Sequence, residues 1–460
     1  MGNKNKYRIV ALLICISIFC FNYWLAFPGV TTFDTKESLL LSKSGWHPVI
    51  WSYILQFMFF VFGKHVYFLL ILSLVPFYLG VYLILMAFYN RYRTWFSLLA
   101  IFPVFIGNIF LINFHLHSSS LSANWIFLLY AECFWWILSV PRRPSWGFLL
   151  MMGITFVITT LSRHNAFIQV IPVSMMMCFM LLPDTWSRLR KICCWCLGLC
   201  LPVVISMAVS ATSQTQPASS TFLWHIAAAC VPADDATCFQ KSWYIPDKNW
   251  KNIKEAYFTQ NDANWASYYY SKKSGRIFIE TLPNDLKKYW LDAVVKYPIN
   301  FLLFQKKNAQ RMWGQEFNIE WGRLPMKSTD SIHPWIKNLI PILEHFPRHE
   351  LYVKLTPHQD SIFDFLHRRL PKIPPMLFLL GNVIAFIFGC LLFYKDRKNY
   401  PLIFVIVISF WACVAATIYT LFTPNVHYRY THPILISNIF SVCGLIAYLL
   451  DVIKNKRKIQ

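Results

Sequence analysis

Apolar and polar positions fall in long blocks along this chain, not at the two-residue period of a half-buried strand. Ten apolar blocks approach the length of about 20 residues that a bilayer-spanning helix needs. They run approximately over residues 8–27, 65–88, 94–114, 121–140, 146–161, 164–183, 191–211, 374–394, 400–422 and 431–452. The apolar run 48–62 is shorter and follows the His47-Pro48 step, so the pattern predicts a helix lying in the membrane interface there. The long segment 212–373 is polar enough to be extramembranous and reads as mixed helix and loop. The expected fold is an all-α polytopic membrane protein in three parts. Residues 1–211 form an N-terminal transmembrane module of seven spans, 212–373 a loop domain, and 374–460 a C-terminal module of three spans.

Composition agrees with the pattern. The 460 residues are 56% hydrophobic and only 14% charged, where a soluble domain carries about 25% charged residues. Disorder, a coiled coil and a small secreted scaffold are excluded on these grounds. The formal net charge of +22 raises nucleic acid as a partner. In a chain this apolar, basic loops on one side of a membrane are the better account, and no nucleic-acid partner is expected.

Charge then orients the spans. The basic clusters are Lys4/Lys6/Arg8, Arg91/Arg93, Arg142/Arg143, Arg188/Arg190/Lys191, Lys395/Arg397/Lys398 and Lys454/Lys456/Arg457/Lys458. With ten spans and 48–62 not crossing, all of them share one side, whereas a crossing at 48–62 would set the first cluster against the next three. The positive-inside rule favours ten spans with both termini cytoplasmic. The first span has the basic start of a signal peptide but no small-x-small site before Pro28, so it is expected to stay. Two segments then face outward, the loop 28–47 and the long segment 212–373. The latter lacks an N-x-[ST] sequon and contains an amphipathic helix at 286–313 whose pattern suits the membrane surface.

Of the 13 cysteines, only Cys230 and Cys238 lie in a polar loop. An outward location makes a disulfide between them the expectation, with two free thiols as the alternative. Cys193, Cys194, Cys196 and Cys200 share one helix without a nearby His or carboxylate, and are expected to be buried packing residues, not a metal site.

Few acidic residues lie outside the long segment. Asp184, Asp396 and Asp451 sit at cytoplasmic span ends, leaving Asp34, Glu37 and Glu132. A carboxylate in or beside the apolar region is costly and asks for a role. Asp34 and Glu37, three residues apart, share a helix face. They read as a capping box and, compatibly with it, as an outward-facing general base or metal ligand, with His47 able to add a donor or ligand. Glu132 lies near mid-span, where a structural carboxyl and a functional one are equally compatible with the pattern. Several cations fall on the same outer face: Arg163-His164, His115 and His117, His427-Tyr428-Arg429-Tyr430 with His432, and Lys306, Lys307 and Arg311. Arginine suits phosphate because its planar fork makes bidentate, charge-assisted hydrogen bonds. Taken singly, each cation also reads as a side chain snorkelling to lipid headgroups.

This plan resembles the GT-C class of integral membrane glycosyltransferases, which use polyprenyl-phosphate sugars as donors. The matching pieces are a first span followed by Pro28-Gly29-Val30-Thr31-Thr32-Phe33-Asp34, then Gly45-Trp46-His47-Pro48 with an interfacial helix. Arg163-His164-Asn165, the stretch Tyr297-Pro298 to Trp313, and Arg429-Tyr430 with Pro433 complete the likeness. The resemblance implies a hexosyl- or pentosyltransferase of the bacterial inner membrane, decorating O-antigen or another surface polysaccharide. The donor is a polyprenyl-monophosphate sugar, and the acceptor a glycan or lipid-linked molecule, handled at the extracytoplasmic face. It implies Asp34 as the base, with Glu37 as second carboxylate and reaction with inversion. Arg429, then Arg163, with Lys306 or Lys307 as further choices, would bind the donor phosphate. His47, His117, His164 and Tyr430 are further site candidates, and a divalent metal (Mg or Mn) at Asp34, Glu37 and His47 stays open. Two other readings remain: a polymerase or ligase of polyprenyl-diphosphate-linked glycans, for which Asp34 would be dispensable, and a transporter or flippase, for which Glu132 would matter most.

Overall fold

The computed structural model describes residues 2–27, 49–63, 65, 67–113, 118–139, 144–163, 166–181, 185–210, 218–259, 277–278, 285–314, 356–397, 399–422 and 430–459. Among these the chain is almost entirely helical, and its one β feature is an isolated bridge between Tyr244 and Phe278. Among the described residues six helices are long and apolar enough to cross a membrane: Lys4–Ala26, Tyr67–Tyr92, Ser120–Ser139, Pro375–Lys395, Tyr400–Phe422 and His432–Lys456.

The N-terminal helices are α1 (Gly2–Ala26), α2 (Val49–Phe62), α3 (Tyr67–Tyr92), α4 (Gly107–Ile112), α5 (Ser118–Ser139), α6 (Trp146–Ser162), α7 (Phe167–Leu181) and α8 (Arg188–Ser210). The middle of the chain forms α9 (Ala218–Cys230), α10 (Trp250–Thr259), α11 (Leu286–Lys296), α12 (Pro298–Gly314) and α13 (Pro357–Arg369). The C-terminal helices are α14 (Pro375–Lys395), α15 (Tyr400–Phe422) and α16 (His432–Ile459).

Helix α5 is the axis of the bundle. Phe127 and Phe134 on α5 meet Phe440 of α16 at 5.2 and 6.2 Å, and Phe134 meets Phe404 of α15 at 5.6 Å. Gly80 lets α3 approach α5 closely, since a Cβ there would stand 2.7 Å from the Phe127 ring. Outward-facing positions stay apolar: Leu99, Leu150, Leu197 and Leu391 are all more than 60% exposed. In a bilayer such side chains meet lipid tails that are as apolar as they are.

The described members of the basic clusters gather at one end of this bundle. Tyr7 stacks on Tyr89 at 3.7 Å and accepts from the Ser97 hydroxyl at 2.7 Å, so the start of α1 lies beside the end of α3. Arg91 donates to both carboxylate oxygens of Asp451 at 2.9 and 2.8 Å and to the Leu138 carbonyl at 3.4 Å, joining the ends of α3, α16 and α5. Lys191 reaches the Phe179 carbonyl at the end of α7, and a Cβ on Gly444 of α16 would meet the Pro401 carbonyl at the start of α15. At the other end, Gln359 of α13 donates to the Trp24 carbonyl at 2.8 Å, and Gln305 of α12 to the Leu421 carbonyl at 3.2 Å.

Three expected spans have a different form, two of them because 146–161 and 164–183 fold as helices of only 17 and 15 residues, below the about 20 that a crossing helix needs. The stretch 94–114 is not a continuous α-helix but a 3-10 helix over Trp95–Phe105, followed by the short α4. It still runs from end to end: Trp95 packs on Tyr7 at 5.2 Å, and the Gly107 N–H donates to Pro371, just before α14, at 2.8 Å. A 3-10 helix rises about 2 Å per residue and an α-helix about 1.5 Å, so the tighter winding carries fewer residues across the same thickness. Helix α2 has 14 residues, about 21 Å of α-helix, short of the roughly 30 Å hydrocarbon core.

The cysteine expectation for α8 is corrected. Cys193, Cys196 and Cys200 are exposed on the bundle surface and Cys194 is half-buried. Helix α8 packs on α7 and, less extensively, on α2 and α6, and these cysteines lie mostly on the faces left open.

A second apolar core lies beyond the bundle. It holds Leu223, Trp224, Ile226, Phe239, Trp243 and Phe278 among others, and reaches Phe304 of α12. Further along the same helix, Met312 and Trp313 join the bundle core. Helix α12 therefore connects the two.

Candidate functional site

At the end of the bundle away from the basic clusters, five segments bring polar side chains together. Arg163 caps the C-terminus of α6, and its guanidinium lies over the Tyr430 ring at 5.1 Å. Tyr430 is buried and its ring centroid lies 6.3 Å from that of Tyr419 on α15. Tyr419 accepts from the Gln169 amide on α7 at 3.2 Å, and Tyr130 on α5 donates to the Gln169 side-chain and backbone oxygens at 3.1 and 3.0 Å.

Local sequence explains the placement. The run Thr159-Thr160-Leu161-Ser162 back-bonds its hydroxyls to carbonyls three or four residues earlier, which weakens helix propagation before Arg163 leaves in extended conformation. Pro433 in the first turn of α16 has no N–H to lose there and a φ already suited to the helix, which starts at His432, two residues after Tyr430. Guanidinium over an aromatic face is favourable, and a planar guanidinium fork matches the geometry of an oxyanion.

Helix α12 closes the cluster from the side. Gln305 bonds the Leu421 carbonyl and approaches the buried His225 ring at 3.5 Å, and the Trp313 indole donates to Thr420 at 3.0 Å. His225 stands against Phe301, Phe304 and Trp290, and loss of hydration pushes its pKa down to about 4. Farther out, Cys230 and Cys238 form the expected disulfide. Inside the loop it closes, Asp235 accepts from Lys296 at 2.7 Å, Tyr297 at 2.8 Å and the Thr237 hydroxyl at 2.6 Å. These bonds, led by that from Lys296, hold its carboxyl well below the usual carboxylate range.

Of the residues the sequence singled out, Arg163 and Tyr430 come into contact. Lys306 and Lys307 both lie exposed on α12. Asp34, Glu37, His47, His117, His164 and Arg429 lie outside the described residues, and with them the metal alternative at Asp34, Glu37 and His47. Among the described residues, no three His, Cys, Asp or Glu side chains are grouped to hold a metal. Glu132 is buried between α5 and α6 and accepts from the Thr155 hydroxyl at 2.9 Å. Sequence reading missed Tyr130, Gln169, Tyr419 and Gln305. Neutral polar side chains carry no charge signal, though Gln169 does interrupt an otherwise apolar block.

Comparison of the chain with protein-family models, with curated proteins and with solved structures finds no match.

Proposed function

We propose that this protein is a membrane glycosyltransferase of GT-C type, moving a sugar from a polyprenyl-monophosphate donor to a glycan or lipid-linked acceptor at the extracytoplasmic face. The observation that carries the reading is the contact of Arg163 with Tyr430. Two segments 267 positions apart in sequence meet at the end opposite the basic clusters, and Tyr430 directly follows Arg429. The gathering of basic clusters at one end supports an orientation with both termini cytoplasmic, and the transferase reading puts the chain in a bacterial inner membrane with ten crossings. The even return of the chain between α1 and α3 supports the same count.

In the proposed reaction the acceptor oxygen attacks the anomeric carbon as the carbon–oxygen bond to phosphate breaks. Asp34 takes the hydroxyl proton, and the electron pair leaves on the polyprenyl phosphate, giving inversion. Arg163 and Arg429 meet the charge that develops on that leaving group. Glu37 is the second carboxylate of the acidic motif.

The test is transfer from a polyprenyl-phosphate sugar by the full chain in nanodiscs, followed by mass spectrometry of surface glycans with and without the gene. Asp34→Asn and Arg163→Ala are each expected to lose on the order of 10²- to 10³-fold in turnover, with thermal midpoints near that of the parent. Glu132→Gln is expected to keep activity. An unchanged glycan profile, or full activity of Asp34→Asn, would sink the assignment. Dependence on Glu132 alone would favour transport instead.

A further inference from the structure

Helix α12 crosses the end of α15 instead of running along it. Gln305 and Trp313, eight residues apart on α12, bond to the consecutive residues Leu421 and Thr420. The two donors are about 12 Å apart along α12, yet both acceptors fall within the last turn of α15. Thr420 and Leu421 belong to the last turn of an apolar helix ending at Phe422. A helix that meets the span at that height stands near the level of the headgroups.

The two long faces of α12 differ. Phe304, Gln305, Asn308, Met312 and Trp313 are buried against α9 and the bundle. On the other face, Ile299, Leu302 and Leu303 are 70%, 62% and 59% exposed. The next turn presents Lys306 and Lys307, both exposed. Val295, at the end of α11, extends the apolar row and is 70% exposed. Water would be a poor neighbour for so contiguous a row. Apolar residues beside lysines suit the boundary where acyl chains meet phosphates.

We infer that the exposed face of α12 is a membrane-docking surface. Ile299, Leu302 and Leu303 sit among the upper acyl chains of the outer leaflet, and Lys306 and Lys307 contact lipid headgroup phosphates. The surface anchors the extramembranous core to the bilayer beside the polar cluster. It depends only on the chain spanning a membrane, not on the proposed transferase activity.

The test uses the full chain in nanodiscs of anionic lipid, with an encoded fluorescent amino acid replacing Leu302 in one sample and the exposed Lys251 of α10 in another. Lipids brominated near the headgroup should extinguish the probe at 302 and spare the probe at 251, while aqueous iodide should do the reverse. Quenching at 302 by iodide to the extent seen at 251 would overturn the inference, as would a probe at 302 that neither quencher reaches, since a second protein surface would then cover the face. In the double variant Lys306→Glu/Lys307→Glu, quenching at 302 by brominated lipid should fall. No fall would remove the lysines from the contact.

Discussion

His225 carries the plainest prediction at the scale of a residue. It is 1% exposed and its pKa is pushed from 6.5 down to about 4 by desolvation. Between those values the unfolded chain binds a proton that the folded chain refuses, so stability rises with pH across that window. Lowering the pH from 7 to 4 should cost about 3 kcal/mol from this group alone, at 1.36 kcal/mol per pKa unit. His225→Phe, which suits the surrounding Phe301 and Phe304 rings, should flatten that part of the pH profile of thermal unfolding. An unaltered profile would show that His225 is hydrated. No pattern in the sequence marks this histidine, because α9 places it beneath α12 only once both helices have packed. Arg163 was legible because a charged residue interrupts apolar blocks. Its partner ring was legible as a neighbour of Arg429, but the contact between the two was not.

At the scale of elements, the loop between α9 and α10 is tied down twice. The Cys230–Cys238 disulfide closes a short ring, and Asp235 inside it binds Lys296 and Tyr297 at the junction of α11 and α12. Replacing both cysteines by serine should lower the stability of this core by about 2–3 kcal/mol, the loop-closure entropy of so short a ring. Hydrogen exchange over Leu223–Val231 would read the loss, and unchanged protection would show that packing alone holds α9. Asp235 adds a dependence of its own. Its carboxyl is held below the ordinary 3.8, so its stabilisation is complete above that value and is lost as the pH falls further. Spans were legible as elements because twenty apolar residues in a row have few other uses. The 3-10 winding of Trp95–Phe105 was not, since hydrophobic content alone does not distinguish three residues per turn from 3.6.

At the scale of the whole molecule, the clamp of Arg91 on Asp451 joins helices from opposite ends of the chain. Both carboxylate oxygens are engaged, and the side chains are 29% and 10% exposed. Between the weak exposed pair and the strong buried one, Asp451→Ala should cost about 2 kcal/mol. A lower thermal midpoint in detergent checks this, and a shift within error would mean that packing of α16 on α15 suffices. The distribution of charge is the large-scale feature that sequence determined unaided, and the described basic clusters do gather at one end of the bundle, as the positive-inside rule expects of a membrane-spanning chain. Sequence also determined the apolar blocks, the polar segment between them and its disulfide partners, since each follows from local composition. Only the tertiary structure decided which polar side chains meet. Helix rotation and height, set by contacts such as Gly80 on Phe127, turn Arg163, Tyr430, Tyr419 and Gln169 toward one another and leave Leu302 facing outward. Those angles depend on packing among distant segments, and no single segment contains them.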